Sequence, residues 1–405
     1  MQKNQLFQRY GPGVIMASSC VGGSHIIAST QAGAYYGWQL AGLIVLVNLL
    51  KYPFFRLAFD YSILNQKNLL QGYAECGRFY LILFFLFNLF ATLVNIAGGT
   101  LLSAVLLGMM LPVDWSLSWL NTLIIFSFII LLWGKQYQKL DRVSKWIMLI
   151  LTLITVLALG MAWGQPEHKL PETFSEPSPW VWAAVPFLVA LMGWMPAPME
   201  LSVSSSFWVV EKVRLSPDYR HQYRRDFHVS YAMTIVLALM FMALGAWVQY
   251  GQHTEPLSGG KFVGQFLNLY AQSMGEWTRL PMTFMALMCI YGTTIVAVDG
   301  YSRGNHQAFI LLTQQKSDPA SEAKHLRYWT LAALLGAWLV MQFFNNAIGK
   351  MIPFAMTASF VSAPVFAWLT WHLHGQCGKQ SVWILALAVL GWVYLVAMVG
   401  LYFFS

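Results

Sequence analysis

The stretch Val21-Gly22-Gly23-Ser24-His25 lies inside the first hydrophobic segment of the chain, which covers residues 11–30. Each glycine in a helix costs about 1 kcal/mol relative to alanine. Broken helix at membrane depth is tolerated only where it packs in protein or lines a wet cavity. Two adjacent glycines followed by two polar residues therefore predict a discontinuous helix at a binding site. The alternative is a close helix–helix contact beside a harmless histidine.

The second half of the chain has a matching interruption. The hydrophobic segment at 180–210 carries WMPAPME at residues 194–200. Each of its two prolines removes a backbone donor and clashes with the preceding turn. Interrupted segments at corresponding places in two halves of a chain are typical of a transporter with its binding site between them. The two interruptions together predict one site for a small solute.

The composition indicates a membrane protein. Of the 405 residues, 58% are hydrophobic and only 10% are charged, whereas soluble domains average about 25% charged residues. Four cysteines without a CxxC pair predict neither a disulfide scaffold nor a thiol metal site. The net charge of +8 is ascribed to loops that face anionic lipid, so no nucleic-acid partner is expected.

Segments of about 20 apolar residues are expected to span the bilayer. The chain contains eleven, numbered here as spans one to eleven: 11–30, 37–59, 79–107, 115–134, 144–164, 180–208, 229–250, 278–300, 327–344, 351–373 and 381–404. They predict one transmembrane domain over residues 1–405, with repeats at 11–164 and 180–373 and a last helix at 381–404. The loop at 60–78, which has an apolar stripe, is expected to hold a short helix on the inner face.

The distribution of lysine and arginine predicts the orientation. With the N-terminus inside, 20 of the 24 basic residues, Lys51 among them, fall on the cytoplasmic side and four outside. We therefore expect a multi-pass protein of the plasma (inner) membrane with its N-terminus in the cytoplasm and its C-terminus outside. The lipid bilayer is the expected partner, and nothing in the sequence indicates an obligatory protein partner.

Several short motifs resemble the Nramp (natural resistance-associated macrophage protein-like) divalent-metal transporters. They are GPG at 11–13, QAGA at 31–34, NLL at 48–50 and MP at 195–196. The resemblance is spread thinly over the chain and is strongest in spans one, two and six. It implies an all-α membrane protein of the LeuT type (APC superfamily). Such a fold has eleven transmembrane helices in this family, with a 5+5 inverted repeat and broken helices one and six.

The chain departs from the family at the metal site that the resemblance implies. The Asp-Pro-Gly-Asn motif of the first helix corresponds to residues 22–25, so Gly22 replaces the metal-binding aspartate and His25 replaces the asparagine. The alanine that lends a carbonyl corresponds to Met192, and the thioether ligand is kept as Met195. Ala197 stands where the family has a histidine linked to proton movement.

The family's acidic residues in the third helix are also missing. Asn88 and Asn95 are the polar residues of span three in this chain. The proton–metal chemistry of the family therefore cannot be transferred whole, and these two asparagines are candidate pathway residues.

The remaining residue types favour a soft ion. Mg²⁺ and Ca²⁺ prefer carboxylate and other oxygen ligands, whereas imidazole and thioether groups suit softer transition metals. The candidate binding residues are Gly22, Ser24, His25, Met192 and Met195. Met199 and Ser19 are candidate pathway residues, although methionines also serve as packing and serines as local backbone caps.

The carbonyl groups near Val21 and Gly22 add to this candidate site. The C-terminal end of a helix carries a partial negative charge and unsatisfied carbonyls, which suit any cation. His25 is also a candidate for proton coupling, because imidazole titrates near pH 6.5. Its alternative is a structural hydrogen bond to the backbone at the glycine pair.

Glu200 is the carboxylate placed deepest in a predicted span. Ionisable residues inside the membrane are costly and are usually functional, so Glu200 is a candidate to bind a proton or Na⁺. The alternative is a wet inner vestibule lined by the second half of span six, where Glu200 is solvated or pairs with a lysine or arginine. Asp299 and Arg303 are expected to form an i,i+4 pair. Thr357, with Ser359 and Ser362, is a candidate pathway residue of span ten.

We therefore expect a secondary active transporter that moves a metal cation by alternating access, with H⁺ or Na⁺ as candidate coupling ion. The alternative is a transporter of the same fold for an organic cation, an amino acid or an anion, because the metal-binding aspartate is missing. No nucleophile–base pair, His-Glu-x-x-His motif or Walker glycine loop occurs. Neither an enzyme nor a resident cofactor is expected.

Overall fold

The structure is a computed structural model that describes residues 11–133, 136–163, 174–251, 275–314, 319–344 and 348–405, together with residues 263, 264, 266, 267 and 271. These residues form 14 α-helices and no strand. The helices are α1 Pro12–Cys20, α2 Thr30–Tyr36, α3 Ala41–Asn65, α4 Leu69–Cys76, α5 Arg78–Met110, α6 Leu117–Leu132, α7 Gln136–Trp163, α8 Val185–Gly193, α9 Leu201–Leu215, α10 Tyr223–Val248, α11 Arg279–Thr313, α12 Pro319–Phe344, α13 Ile348–His372 and α14 Val382–Phe404.

Each predicted span coincides with one helix or with a broken pair of helices. Spans one and six are the pairs α1–α2 and α8–α9, and the other nine are α3, α5 to α7 and α10 to α14. Six described helices are long and apolar enough to cross a membrane by themselves, or seven spans with the bent first pair. The repeat boundaries stay a prediction.

The short helix expected in the loop at 60–78 is present as α4. It begins with a capping box, in which the Asn68 side chain accepts a hydrogen bond from the Gln71 N–H and the Gln71 side chain accepts one from the Asn68 N–H. This reciprocal arrangement satisfies two orphan donors of the first turn. Leu69, Leu70 and Tyr73 of this helix are buried, as the apolar stripe predicts.

Span one is broken at the glycine pair, as the sequence predicts. Helix α1 ends at Cys20, and a π-helical turn, Ser24–Ser29, leads into α2. The helical segments on the two sides of the break are bent by 49°. The prediction of a discontinuous first helix is confirmed.

Span six is broken over a longer stretch. Helix α8 ends at Gly193 and α9 begins at Leu201, so residues 194–200 form an irregular connection. The Met195–Pro196 peptide bond in this connection is cis. The whole connection is nearly buried: Met195, Ala197 and Met199 expose none of their surface, and Glu200 exposes 1%.

Close glycine contacts hold α2, the second half of span one, against α10. A Cβ atom at Gly245 would overlap the carbonyl oxygen of Thr30, and one at Gly33 would overlap the carbonyl oxygen of Met242. Small residues at membrane helix contacts let backbones approach closely, because packing is the main attraction between helices in lipid. The α2–α10 contact therefore depends on both glycines.

One basic residue that was counted for the orientation is buried inside a span. Lys51 was counted on the cytoplasmic side, but it lies within α3 and is completely buried. Its ammonium group contacts the break of span six. Lys51 therefore faces protein and not water, which a lysine inside a predicted span does not reveal by itself.

The α2–α10 contact provides a test of the packing. We expect Gly245→Ala to lower the melting temperature of the detergent-purified protein, since overpacking typically costs about 1–3 kcal/mol. Gly400→Ala in α14 is the matched control, because a Cβ atom at Gly400 meets no heavy atom within 4 Å. Equal melting temperatures for the two variants, measured by differential scanning fluorimetry, would contradict the packing described here.

Candidate functional site

A cavity lies between the two breaks. Spans one and six supply part of its wall, and α5 and α11 supply the rest. It offers about 60 Å³ of room for water molecules, and one water needs at least about 10–15 Å³ on that measure. A small ion with a few waters therefore fits. The lining residues are Ser19, Cys20, Gly23, Ser24, Asn95, Gly99, Leu102, Trp194, Pro198, Leu201, Ile290, Thr293, Thr294, Ala297 and Tyr301.

The glycine pair is required by close neighbours. A Cβ atom at Gly22 would lie 2.6 Å from the Thr293 hydroxyl oxygen, and one at Gly23 would lie 2.7 Å from the Trp194 ring. Real Cβ atoms do not approach heavy atoms this closely, so neither position accepts a side chain without rearrangement. Thr293 and Trp194 occupy the space into which side chains at these positions would point. Gly22 therefore has no room for the carboxylate that the family carries there.

The carbonyls at the end of α1 are not free. The Val21 carbonyl accepts hydrogen bonds from the Cys289 thiol at 2.8 Å and the Thr293 hydroxyl at 3.0 Å. The Gly22 carbonyl accepts the backbone N–H groups of His25 and Ile26. The expectation that these two carbonyls are open to a cation was therefore wrong, because α11 and the first π-helical turn supply donors.

Glu200 lies directly behind the cavity wall. Its Oε1 accepts hydrogen bonds from the Tyr301 hydroxyl at 2.9 Å and from the Asn95 amide at 3.2 Å. Its Oε2 is buried and has no hydrogen-bond partner. Asn95 and Tyr301 both line the cavity, so they connect the carboxylate to it. The vestibule alternative does not hold for this conformation, because Glu200 is only 1% exposed.

Asn95 joins Glu200 to the break of span six and to span ten. Its Oδ1 accepts hydrogen bonds from the Trp194 indole at 2.9 Å and the Ser359 hydroxyl at 3.0 Å. The indole N–H also lies 3.1 Å from the Ser359 oxygen. A polar network of Asn95, Trp194, Glu200, Tyr301 and Ser359 thus crosses four spans. Of the two predicted asparagines, Asn95 is the one at the cavity.

His25 faces away from the cavity. Its Nε2 lies 2.9 Å from the Thr234 carbonyl of α10, and its Nδ1 lies 2.8 Å from the Ser24 hydroxyl. A carbonyl can only accept, so Nε2 carries a proton and has no lone pair for a metal. Nδ1 is occupied by Ser24. The structural alternative therefore describes His25 better than the role of metal ligand.

The three candidate methionines do not line the cavity either. The Met192 sulfur accepts a hydrogen bond from the Tyr394 hydroxyl of α14 at 2.7 Å. Met195 and Met199 are completely buried. The structure therefore does not bring His25, Met192 and Met195 together around one open position, and the predicted imidazole–thioether site is absent from this conformation of the described residues.

Two of the other candidate residues line the cavity, and Asn88 does not. Ser19 and Ser24 line the cavity. The Ser19 hydroxyl donates to the Met16 carbonyl, and the single Ser24 proton lies within reach of both the Cys20 carbonyl and His25 Nδ1. A hydroxyl oxygen can also accept. Asn88 lies outside the cavity, where it donates to Asn305 at 2.7 Å.

Thr357 of span ten and the predicted Asp299–Arg303 pair both lie outside the cavity lining. Thr357 lines a separate groove, most of whose lining is apolar, with Phe187, Pro353 and Phe403. The Asp299–Arg303 pair is confirmed, with the Arg303 Nε at 2.8 Å from the carboxylate. Asp299 also accepts a hydrogen bond from the Trp208 indole.

Sequence reasoning missed Lys51, Trp194, Thr293 and Tyr301. A lysine inside a 25-residue apolar helix is a signal that could have identified Lys51, since intramembrane charges are rare. A tryptophan, a threonine and a tyrosine in membrane helices carry no comparable signal. Their place at the site follows only from how α11 and the break of span six pack around the glycine pair.

Two broken helices around a shared cavity define a membrane transporter of the LeuT type. Three solved structures with this fold are similar to the chain at 11% sequence identity each, which shows the fold alone. The crystal structure of the Eremococcus coleocola manganese transporter in complex with an aromatic bis-isothiourea compound has a TM-score of 0.72, covering 98% of this chain and 86% of that one. Mhp1, a nucleobase-cation-symport-1 family transporter, has a TM-score of 0.61, covering 97% of this chain and 91% of that one. MhsT in complex with L-phenylalanine has a TM-score of 0.59, covering 96% of this chain and 98% of that one.

The chain belongs to the Nramp family. The family model, natural resistance-associated macrophage protein-like, matches residues 13–404. An uncharacterized protein of Pasteurella multocida (strain Pm70) is 45% identical over 405 residues, which cover 98% of this chain and 92% of that protein. Members of the family are transporters and not enzymes. The protein is therefore a multi-pass integral membrane transporter, as the resemblance implies.

The network around Glu200 predicts a difference between two substitutions. Glu200→Gln keeps a side-chain oxygen that can accept hydrogen bonds from Tyr301 and Asn95. Glu200→Ala removes this oxygen from both donors. A buried donor that loses its partner costs about 1–3 kcal/mol. We therefore expect Glu200→Ala to melt several degrees below Glu200→Gln in thermal unfolding of the purified protein. A Glu200→Ala variant as stable as Glu200→Gln would show that this network does not hold the spans together.

Proposed function

We propose that this transporter carries a metal cation across the membrane by alternating access, through the cavity between the two breaks. Glu200 is the observation that supports this proposal most strongly. It is a buried carboxylate with one unpartnered oxygen, one hydrogen bond away from cavity residues of α5 and α11. A carboxylate inside a membrane span is costly, and the free oxygen of Glu200 is expected to bind a cation or a proton.

The groups at the cavity favour a hard ion over a soft one. Most polar lining atoms are oxygens, from Ser19, Ser24, Asn95, Thr293, Thr294 and Tyr301, beside the Asn95 amide nitrogen, the Trp194 indole nitrogen and one sulfur, the Cys20 thiol. Hydroxyl, amide and carboxylate oxygens suit Mg²⁺ and Mn²⁺, whereas softer ions prefer sulfur and imidazole. We therefore revise the expected cargo from a thioether–imidazole ion to one bound by oxygen. Manganese is the ion named for the similar Eremococcus coleocola transporter.

Glu200 is also our candidate for coupling to H⁺ or Na⁺. A proton or a sodium ion on its free oxygen would neutralise the carboxylate, and its loss would restore the charge, so occupancy of this position can follow an ion gradient. We further propose the inner membrane as the location, with the N-terminus in the cytoplasm. The excess of basic residues on that side supports this orientation even without Lys51.

Uptake into proteoliposomes tests the proposal. We expect saturable Mn²⁺ or Mg²⁺ uptake by the wild-type protein, driven by an imposed pH or Na⁺ gradient, and at least a tenfold loss in Glu200→Gln. Neutralising a carboxylate that contacts the ion removes a strong charge-assisted interaction, and tenfold corresponds to about 1.4 kcal/mol. The matched control is Glu276→Gln, because Glu276 is exposed and pairs only with Arg279 in the described residues.

Two results would contradict this assignment. Wild-type-like uptake by Glu200→Gln, with the same dependence on pH and Na⁺, would remove Glu200 from coupling and binding. Cd²⁺ uptake that exceeds Mn²⁺ uptake and is lost in His25→Ala or Met195→Ala would show that a second conformation assembles the soft-ligand site. Mn²⁺ is detected by isotope and Mg²⁺ by an entrapped dye.

A non-metal solute is the second candidate, and Lys51 is the observation that favours it. A fixed ammonium group at the break of span six repels a divalent cation nearby. A screen of amines, amino acids and anions against the purified protein by thermal shift distinguishes the two candidates. Stabilisation by one of these solutes, with none by Mn²⁺ or Mg²⁺, would replace the metal cargo while leaving the transporter fold unaffected.

A further inference from the structure

Lys51 reaches the broken end of span six from the neighbouring helix α3. Its Nζ donates to the carbonyl oxygens of Met192 at 2.7 Å, Gly193 at 3.2 Å and Ala197 at 3.4 Å. Met192 and Gly193 are the last two residues of α8, and Ala197 lies in the connection to α9. The side chain exposes none of its surface, so the ammonium group is shielded from bulk solvent.

The three carbonyls match the chemistry of one ammonium group. An ammonium group has three N–H donors and no acceptor, and here each donor has one carbonyl within hydrogen-bond distance. The C-terminal end of a helix carries about half a negative charge, which favours a cation at this place. Two of the three carbonyls belong to the terminal turn of α8, where few helical partners remain. The Met192 carbonyl also accepts the backbone N–H groups of Trp194 and Met195.

No carboxylate replaces the carbonyls as a partner. None of the ion pairs within the described segments includes Lys51. The Phe360 ring centroid lies 5.9 Å from Nζ. Glu200 and Cys20 also interact electrostatically with the ammonium group, but neither pairs with it directly. Backbone carbonyls and an aromatic face are groups that bind free cations in proteins. The groups around Nζ therefore resemble a cation-binding site, in which the bound cation is the ammonium group of a side chain of α3.

We propose that the Lys51 ammonium is a tethered cation that permanently fills a cation site at the broken end of span six. The carbonyls of Met192, Gly193 and Ala197 form this site, which we call the α8 end site. Removal of the lysine side chain leaves the α8 end site open, and the ligand class that then binds is a small primary ammonium ion. The wild-type protein binds no free ligand there, because the position is taken.

The position also explains how the break survives in the membrane. A carbonyl group without a hydrogen-bond partner is costly in hydrocarbon, because no water is present to replace the partner. Lys51 supplies donors to three carbonyls on both sides of the Gly193–Trp194 turn, and so it links α3 to both ends of the turn. Lys51 is thus a positioning residue for Trp194, which lines the cavity.

Chemical rescue tests this inference. Lys51→Ala keeps Cβ and removes three carbons and the ammonium group, which together equal n-propylammonium. We expect Lys51→Ala to melt below the wild-type protein and n-propylammonium chloride to restore much of the difference in a saturable way. Neither tetramethylammonium, which has no N–H donor, nor 1-propanol, which has no charge, should do so at matched ionic strength. The wild-type protein should show no n-propylammonium shift.

Two further variants separate the site from general effects. Lys51→Met fills the space without donors, so it should be destabilised and not rescued. Lys212→Ala removes another buried lysine, which lies beside Gly11, and should not respond to n-propylammonium. If Lys51→Ala cannot be purified alone, purification in n-propylammonium is expected to yield folded protein, and failure there counts against the site.

The inference is overturned if n-propylammonium stabilises Lys51→Ala no more than it stabilises the wild-type protein or Lys212→Ala. It is also overturned if Lys51→Ala is as stable as the wild-type protein. Both readouts are melting temperatures, so they do not depend on which solute the transporter carries. Failure of Mn²⁺ uptake would leave the α8 end site standing, and failure of rescue would leave the uptake proposal standing.

Discussion

The structure depends on satisfying backbone polar groups at two helix breaks where lipid offers no hydrogen bond. Each break is completed by side chains from other helices. At span one, Cys289 and Thr293 of α11 donate to the Val21 carbonyl. At span six, Lys51 of α3 donates to the carbonyls around Gly193. Irregular backbone in a membrane is stable only where it is buried in protein or lines a cavity. The two breaks here are largely buried in protein and also line the cavity.

The same donors set the chemistry of the site. Thr293 fills the space beside Gly22, and Lys51 places a fixed positive charge at the break of span six. The resemblance implies a carboxylate at Gly22 and a carbonyl at Met192 as metal ligands, and these are the two positions that Thr293 and Lys51 contact. In our proposal the mobile cation is bound instead by the Glu200 carboxylate, which Asn95 and Tyr301 hold in place. The chain therefore keeps the fold of its family with a different distribution of charge around the cavity.

The sequence predicted local features of the chain well and contacts between distant segments poorly. The breaks at Gly22 and Pro196, the helix α4 and the Asp299–Arg303 pair depend on local composition or on i,i+4 spacing, and they were predicted. His25 was expected at the site because it adjoins the glycine pair, yet its ring bonds to Thr234 of α10. The π-helical turn that follows the break changes the direction of each side chain relative to a regular helix. No spacing rule anticipates that change.

The sequence alone determined the membrane class, the two interrupted spans and the family, because hydropathy, glycine and proline act on the backbone within a few residues. Only the tertiary structure decided which polar groups meet. Lys51 and Met192 are 141 residues apart, and Asn95 and Glu200 are 105 apart. Their contacts depend on the rotation and crossing of whole helices. Those are set by many small packing contacts, such as that of Gly245 with Thr30, which no single stretch of sequence specifies.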